Sequence, residues 1–229
     1  MKVLLVEDDA SLREGMGEII AELAEVRAVG TEDEALAALK EDRFDLVITD
    51  LRIAGREQGG RAVLEAARRR QQPVAIVSAA APDDVSRTLR PHLPDAVLVK
   101  PFQLDDMLTL VERFLGVRRE LERVAQERRL PADGAWTETS PGMRSAAGGA
   151  VDPSLGGEGS ASWVRLSPGG GLPWRPGGPG REAVLLVEGD LEVDGERHTA
   201  PRYLFMGAGQ APEARTREGC LAITLVLKG

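Results

Sequence analysis

The chain has 229 residues, 42% of them hydrophobic and 29% charged, with a formal net charge of −8. That is enough for one large domain or two modest ones with buried cores, and the acid surplus disfavours general binding to nucleic acid, which needs a Lys/Arg excess against phosphate. One cysteine, Cys220, excludes an internal disulfide and fits a reducing compartment, and two histidines, His92 and His198, leave few options for zinc or His-based catalysis.

The opening Val3–Val6 run reads as a short buried parallel strand. Acids follow it immediately, at Glu7-Asp8-Asp9, so it is too short for a signal peptide. No apolar run approaches the roughly 20 residues that span a bilayer, so a cytoplasmic protein without membrane contact is expected. Leu12, Met16, Ile19, Ile20 and Leu23 then share one helical face, and Ser11–Glu14 has capping-box spacing. Val26–Val29 is a second strand, and Thr31–Glu34 opens a second helix with the same box. Phe44–Thr49 is the third strand and Gly60–Arg70 the third helix. Pro73–Val77 is the fourth strand, and Pro82 starts the fourth helix. Ala96–Val99 is the fifth strand, with a fifth helix from Gln103. Five such β–α units predict a five-stranded parallel, doubly wound sheet with helices on both faces.

The fifth helix overruns its unit, with Leu108, Val111, Leu115, Leu121 and Val124 at roughly helical spacing before Pro131. A solvated helical spacer is the plainer reading, and a short coiled-coil contact, with a possible homodimer, the sharper one. Gly, Pro and Ser then crowd the stretch from about 131 to 180, a linker composition. Beyond it, Trp163–Leu166, Ala183–Val187, Leu191–Val193, Tyr203–Met206 and Leu221–Leu227 read as strands, with a hairpin turn at Asp194-Gly195, and predict a small barrel or sandwich. No helix-turn-helix pattern follows residue 131.

Functional groups of an open α/β sheet gather at the carboxyl ends of its strands. Those ends carry Glu7 and Asp8, Asp50, Ser78 and Lys100, in chain order. Neighbouring carboxylates repel unless a cation neutralises them, and an all-oxygen set selects a hard ion, most naturally Mg²⁺. Asp50 beside Mg²⁺ could attack a phosphoryl group, with Lys100 sharing the negative charge and Ser78 bonding a phosphoryl oxygen. Taken singly, each residue has a plainer reading: Asp8 and Asp9 as helix caps, Asp50 as a strand-end acid, Lys100-Pro101 as a turn.

Residues 1–118 resemble the receiver domain of two-component response regulators, through Leu4-Leu5-Val6-Glu7-Asp8-Asp9, Asp45-Leu46-Val47-Ile48-Thr49-Asp50-Leu51-Arg52, Val74-Ala75-Ile76-Val77-Ser78-Ala79 and Val97-Leu98-Val99-Lys100-Pro101-Phe102. The resemblance implies a flavodoxin-like fold. It implies Glu7 and Asp8 as metal acids, Asp50 as phosphoacceptor and metal ligand, and the Arg52 main-chain carbonyl as a further ligand. Ser78 becomes the switch hydroxyl and Lys100 the phosphoryl contact, with a cis Lys100–Pro101 bond and a sensor histidine kinase as donor. Two positions depart from the family. Val97 stands where receivers carry a switch aromatic, and Ala54 replaces the usual proline in a loop, Ile53–Gly59, one residue longer than usual. The chemistry is intact, but aromatic–hydroxyl switching and output through the fourth helix, fifth strand and fifth helix come into question.

Residues 161–229 resemble the cupin domain of ChrR-type anti-sigma factors, through Trp163–Leu166, Glu182–Leu191, Pro201–Leu204 and Glu218–Cys220. Those cupins hold a metal with histidines whose places here are Trp174, Arg175 and Gln210, which implies a β-domain without metal ligands. His198 is expected as an exposed loop residue, and Trp174 as core packing or a ligand contact. The domains expected are therefore a receiver at 1–118, a helical extension and linker at 119–160, and a cupin-like β-domain at 161–229. The function expected is a phosphorelay response regulator, not an enzyme beyond its own phosphotransfer and dephosphorylation. Its output is an unknown protein or small ligand, with no direct contact to nucleic acid. A receiver used only as a phosphorylation-independent binding module is the alternative. A Mg²⁺-dependent phosphohydrolase is disfavoured because Arg52 stands where its second acid is needed.

Overall fold

The computed structural model describes residues 1–56, 59–127, 130–152, 155, 160–173, 181–207, 210 and 212–227. The chain divides into two compact units, Met1–Leu115 and Gly116–Gly229.

The first unit alternates strand and helix: β1 Lys2–Val6, α1 Ala10–Ala21, β2 Glu25–Val29, α2 Glu32–Glu41, β3 Leu46–Asp50, α3 Gly59–Arg69, β4 Val74–Ser78, α4 Pro82–Leu89, β5 Ala96–Val99 and the start of α5, Leu104–Glu127. All pairings are parallel and the order is β2-β1-β3-β4-β5, the flavodoxin-like order that the alternation predicts. One face of the sheet packs Leu4, Val6, Val47, Val74 and Ile76 with Ala38 and Leu39 of α2, Val63 and Leu64 of α3, and Val85 and Leu89 of α4. The alternate residues Leu5, Ile48, Ala75 and Val77 are also buried, as are Met16 and Ile20 of α1 and Met107 and Val111 of α5. Strands buried on both sides explain why they read as unbroken apolar runs.

Caps set the helix starts. Thr31 and Glu34 form the expected capping box on α2. On α1 the cap is Asp9, which accepts from the Leu12 N–H, so the Ser11–Glu14 box does not form. The earlier acid wins because a carboxylate at the N-cap also faces the positive end of the helix dipole.

The second unit begins inside α5. Val117, Leu121 and Val124 are buried, and the Arg118 guanidinium lies 5.9 Å from the Tyr203 ring centroid. This end of the helix is neither a solvated spacer nor an open coiled-coil seam. The strands are β6 Thr137–Ser140, β7 Met143–Ala150, β8 Ser160–Leu166, β9 Arg181–Val193, β10 Glu196–Thr199, β11 Arg202–Met206, β12 Ala214–Arg215 and β13 Cys220–Leu227. They form an antiparallel sheet in the order β10-β9-β13-β8-β7-β6, with β11 and β12 also on β9. The expected linker at 119–160 is thus partly sheet: β6 and β7 lie within it. Their Ala, Gly and Ser residues have low strand propensity and carry no apolar alternation, so the sequence reads as linker. The two strands expected at 183–187 and 191–193 are one strand. It continues through Gly189, whose φ is +80° and where a Cβ would lie 2.0 Å from the Gly219 carbonyl oxygen. Asp194 and Gly195, both at positive φ, make the expected hairpin turn into β10.

His198 corrects another expectation. It lies on β10 opposite Leu191 and is 3% exposed, because antiparallel pairing straight after the turn sends it inward. Of the places where the resembled cupins carry histidines, Trp174 and Arg175 lie outside the described residues. Gln210 uses its side-chain carbonyl to accept the Gly207 N–H at 2.9 Å. Cys220 starts β13, where burial, with Asp190 nearby, pushes its thiol up to about 12.

One polar contact sits deep in the first unit. The fully buried Arg68 places Nη1 2.6 Å from Asp95 Oδ2 and donates Nη2 to the Leu93 carbonyl, while the same Asp95 oxygen accepts the Val74 N–H. The pair ties the end of α3 to the entry of β5. Removing one partner strands a buried charge, which costs about 3–5 kcal/mol. Urea unfolding should therefore show Arg68→Met destabilised by about that amount. Arg68→Met combined with Asp95→Asn should recover part of it, since the amide oxygen still accepts from Val74.

Candidate functional site

The carboxyl ends of β1, β3, β4 and β5 lie at one edge of the parallel sheet, and each brings one element of the site. Lys100, just past β5, binds two carboxylates at once: Nζ is 2.8 Å from Glu7 Oε2 and 2.6 Å from Asp50 Oδ2. Its own N–H donates to the Ser78 carbonyl at 2.8 Å, and the Lys100–Pro101 peptide is cis. Asp50 Oδ1 accepts the Arg52 N–H at 3.0 Å, so both oxygens of that carboxylate are held. Glu7 is 2% exposed and also accepts the Asp9 N–H at 3.3 Å.

Asp8 and Ser78 are positioned differently. Asp8 is exposed, and its Oδ2 accepts the Ala54 N–H at 2.9 Å. Ser78 is buried, with its hydroxyl oxygen accepting the Ala80 N–H at 3.1 Å. Among the described residues no three His, Cys, Asp or Glu side chains converge as a ready metal cage. The reason is visible: Lys100 spans Glu7 and Asp50 while Asp8 leans to the neighbouring loop. The donor chemistry still fits a hard divalent cation. Glu7, Asp8 and Asp50 offer only oxygen, and one ammonium is set against three carboxylates.

The loop after Asp50 is a tight turn. Ile53 and Arg56 exchange backbone hydrogen bonds at 3.2 and 2.9 Å, with Ala54 at φ 51° and Gly55 at φ 76°. That is the two-residue hairpin geometry in which both central residues have positive φ. A proline at Ala54 could neither reach that φ nor donate to Asp8. Gly60 then brings α3 against the strand end, where a Cβ would lie 2.2 Å from the Asp50 carbonyl oxygen.

Two supporting groups were not read from the sequence. Arg13 Nη1 donates to the Glu7 carbonyl at 2.7 Å and to the Asp8 carbonyl at 3.2 Å, fixing the backbone of the acidic pair. Its place one turn into α1 is the only sequence signal for that role. The Ala54 N–H, a backbone group, left no signal. Val97 lies partly buried against the α2–α3–α4 core.

Burial raises the Glu7 carboxyl above its ordinary value, despite the opposing hydrogen bond from Lys100. For Lys100, burial alone would lower the ammonium, but the bonds to Asp50 and Glu7 outweigh it and its pKa is raised. Lys100 is therefore charged at neutral pH. A raised Glu7 pKa means that ionising Glu7 costs more in the folded state than in the unfolded chain. Stability from this group is full below about pH 4.5 and is lost as pH rises through the folded pKa. Without divalent cation, Glu7→Gln should raise the urea midpoint at pH 7. The gain should shrink toward pH 4, measured as paired unfolding curves.

The chain is 30% identical over 128 residues to the transcriptional regulatory protein PdtaR of Mycobacterium tuberculosis, a match covering 55% of this chain and 62% of that one. It is 37% identical over 116 residues to the response regulator protein FleR of Pseudomonas aeruginosa, covering 49% and 24%. The chain thus matches less than two thirds of either relative's length. Among solved structures, a CheY-like response regulator receiver domain protein from Methanospirillum hungatei aligns at 25% identity and TM-score 0.47, over 52% of this chain and 95% of that one. Residues 3–112 match the family model of the response regulator receiver domain. Together with the parallel sheet order, this match identifies residues 3–112 as a response regulator receiver domain.

Proposed function

We propose that the chain is a phosphorelay response regulator that accepts a phosphoryl group on Asp50 from a histidine kinase and passes the change to its C-terminal unit as a protein- or ligand-binding output. The observation that carries this is the bridge from Lys100 to Glu7 and Asp50 at 2.8 and 2.6 Å. In the transfer, an Asp50 carboxylate oxygen forms the new P–O bond as the P–N bond to the kinase imidazole breaks. The imidazole leaves as the electron pair returns to its nitrogen. The Arg52 N–H holds the other carboxylate oxygen. Lys100 stays protonated and moves its charge from carboxylate to phosphoryl oxygens. The Ser78 hydroxyl, now bound to the Ala80 N–H, turns toward the acyl phosphate. Glu7, Asp8, Asp50 and the Arg52 carbonyl are the groups that would hold Mg²⁺, which supplies the charge neutralisation that lets two anions meet.

A second reading, a receiver that binds partners without phosphorylation, is favoured by one observation. Val97 packs into the core where a rotating aromatic would otherwise report the modification.

Acetyl phosphate with Mg²⁺ should add one phosphoryl mass to the native chain and none to Asp50→Asn, read by intact mass spectrometry. Chelating the metal should abolish the gain. Equal labelling of the variant would remove Asp50 from the role, and no labelling of the native chain would support the second reading. Lys100→Ala should still accept some phosphoryl group, yet lose the hydrogen-exchange change that accompanies it in the native chain. An unchanged exchange response would count against Lys100 as the coupling group.

A further inference from the structure

The antiparallel sheet carries two arginines side by side. Arg144 of β7 stands directly opposite Arg165 of β8, and both are exposed. Cross-strand partners of this kind have Cβ atoms about 4.5–5.5 Å apart, and like charges there oppose folding. Neither guanidinium forms an ion pair with any described acid. The contacts they do make hold them in place. The Arg165 guanidinium lies 4.7 Å from the centroid of the buried Trp136 ring, and Arg144 Nη2 donates to the Trp136 carbonyl at 3.4 Å. Trp136 is itself anchored, its indole N–H donating to the Pro131 carbonyl at 3.1 Å. Stacking an arginine on a ring fixes its plane while leaving its N–H groups available at the edge.

The pairing register extends this into a row across five strands: Glu138, Arg144, Arg165, Leu221 and Glu188. Exposed Glu138 adjoins Arg144 at one end, and beyond Arg165 the buried Leu221 separates the pair from exposed Glu188 at the other.

We propose that this row is a docking site for a short acidic segment of a partner protein, with adjacent carboxylates seated on Arg144 and Arg165. The proposal rests on reading the C-terminal unit as the output, and it names the chemistry of the partner. Charge pattern selects the occupant. A nucleic-acid strand, with phosphates at every step, would meet Glu138 or Glu188 on either side of the pair. A second copy using the same row would set arginine against arginine. Two carboxylates match the two forks and stop where the flanking acids begin.

The test uses the full-length chain and fluorescence anisotropy. The probes are a fluorescein-labelled Gly/Ser peptide with two adjacent glutamates, the same peptide with glutamines, and a single-stranded oligonucleotide of equal length. The glutamate peptide should bind roughly tenfold tighter than the glutamine peptide, and weaken at high salt. Arg144→Gln and Arg165→Gln should each weaken it about tenfold, while Arg217→Gln, which removes a partner of Glu192, should not. Equal peptide binding by both variants, no binding by the native chain, or tighter binding of the oligonucleotide would each overturn the proposal. Labelling of Asp50 is read separately by mass. A chain that takes up phosphate but ignores the peptide sinks this surface alone, and one that binds the peptide but resists labelling sinks the receiver chemistry alone.

Discussion

A single ammonium group organises the receiver unit's carboxyl edge. Lys100 reaches across from β5 to touch Glu7 beyond β1 and Asp50 at the end of β3, residues 93 and 50 positions away in sequence. Without it, a buried glutamate would face an aspartate with nothing to offset either desolvation or repulsion. The strand order puts these ends side by side, and the backbone bond from Lys100 to Ser78 holds β4 in the same register. The charge that makes the resting state tolerable is also the charge an incoming anion would meet. Stability and the proposed chemistry therefore draw on the same contact, and Arg13 and Gly60 serve it by fixing the chain on which the acids ride.

Much of this is legible in the sequence. Alternating apolar runs and helical faces gave the five β–α units because each strand is buried on both sides, and burial of that kind writes itself into composition. The site residues were legible because strand ends are where short apolar runs stop at a charged residue. What escaped detection was backbone chemistry. The Ala54 N–H on Asp8 and the positive φ of Ala54 and Gly55 depend on a turn whose residues look unremarkable one by one. At the start of α1 the sequence offers two caps, Ser11 and Asp9, both good ones, and only the geometry decides for Asp9.

The second unit was harder for a physical reason. Its sheet recruits Met143–Ala150, of which Ser145 to Ala150 are all small residues that pack by closeness rather than bulk, so hydrophobic pattern cannot reveal them. Buried Asp190 shows the same limit. It accepts the Arg217 and Glu218 N–H groups and the Thr216 hydroxyl, and is bonded by Arg197. It holds the turn before β13 through contacts about 26–28 residues away, which no local motif announces. His198 turned inward for a related reason, since pairing with β9 decides its side of the sheet.

The burial of Cys220 has a practical bearing on how this protein would be handled. Thiolate, not thiol, is the reactive species, and a thiol shifted to about 12 at the start of a core strand is almost wholly protonated at neutral pH. With one cysteine in the whole chain, and that one buried, both alkylation and oxidative dimerisation should be slow in the native fold. Any modification of that sulfur then records an opening of the antiparallel sheet, so the chain carries its own clock for how often that unit comes apart.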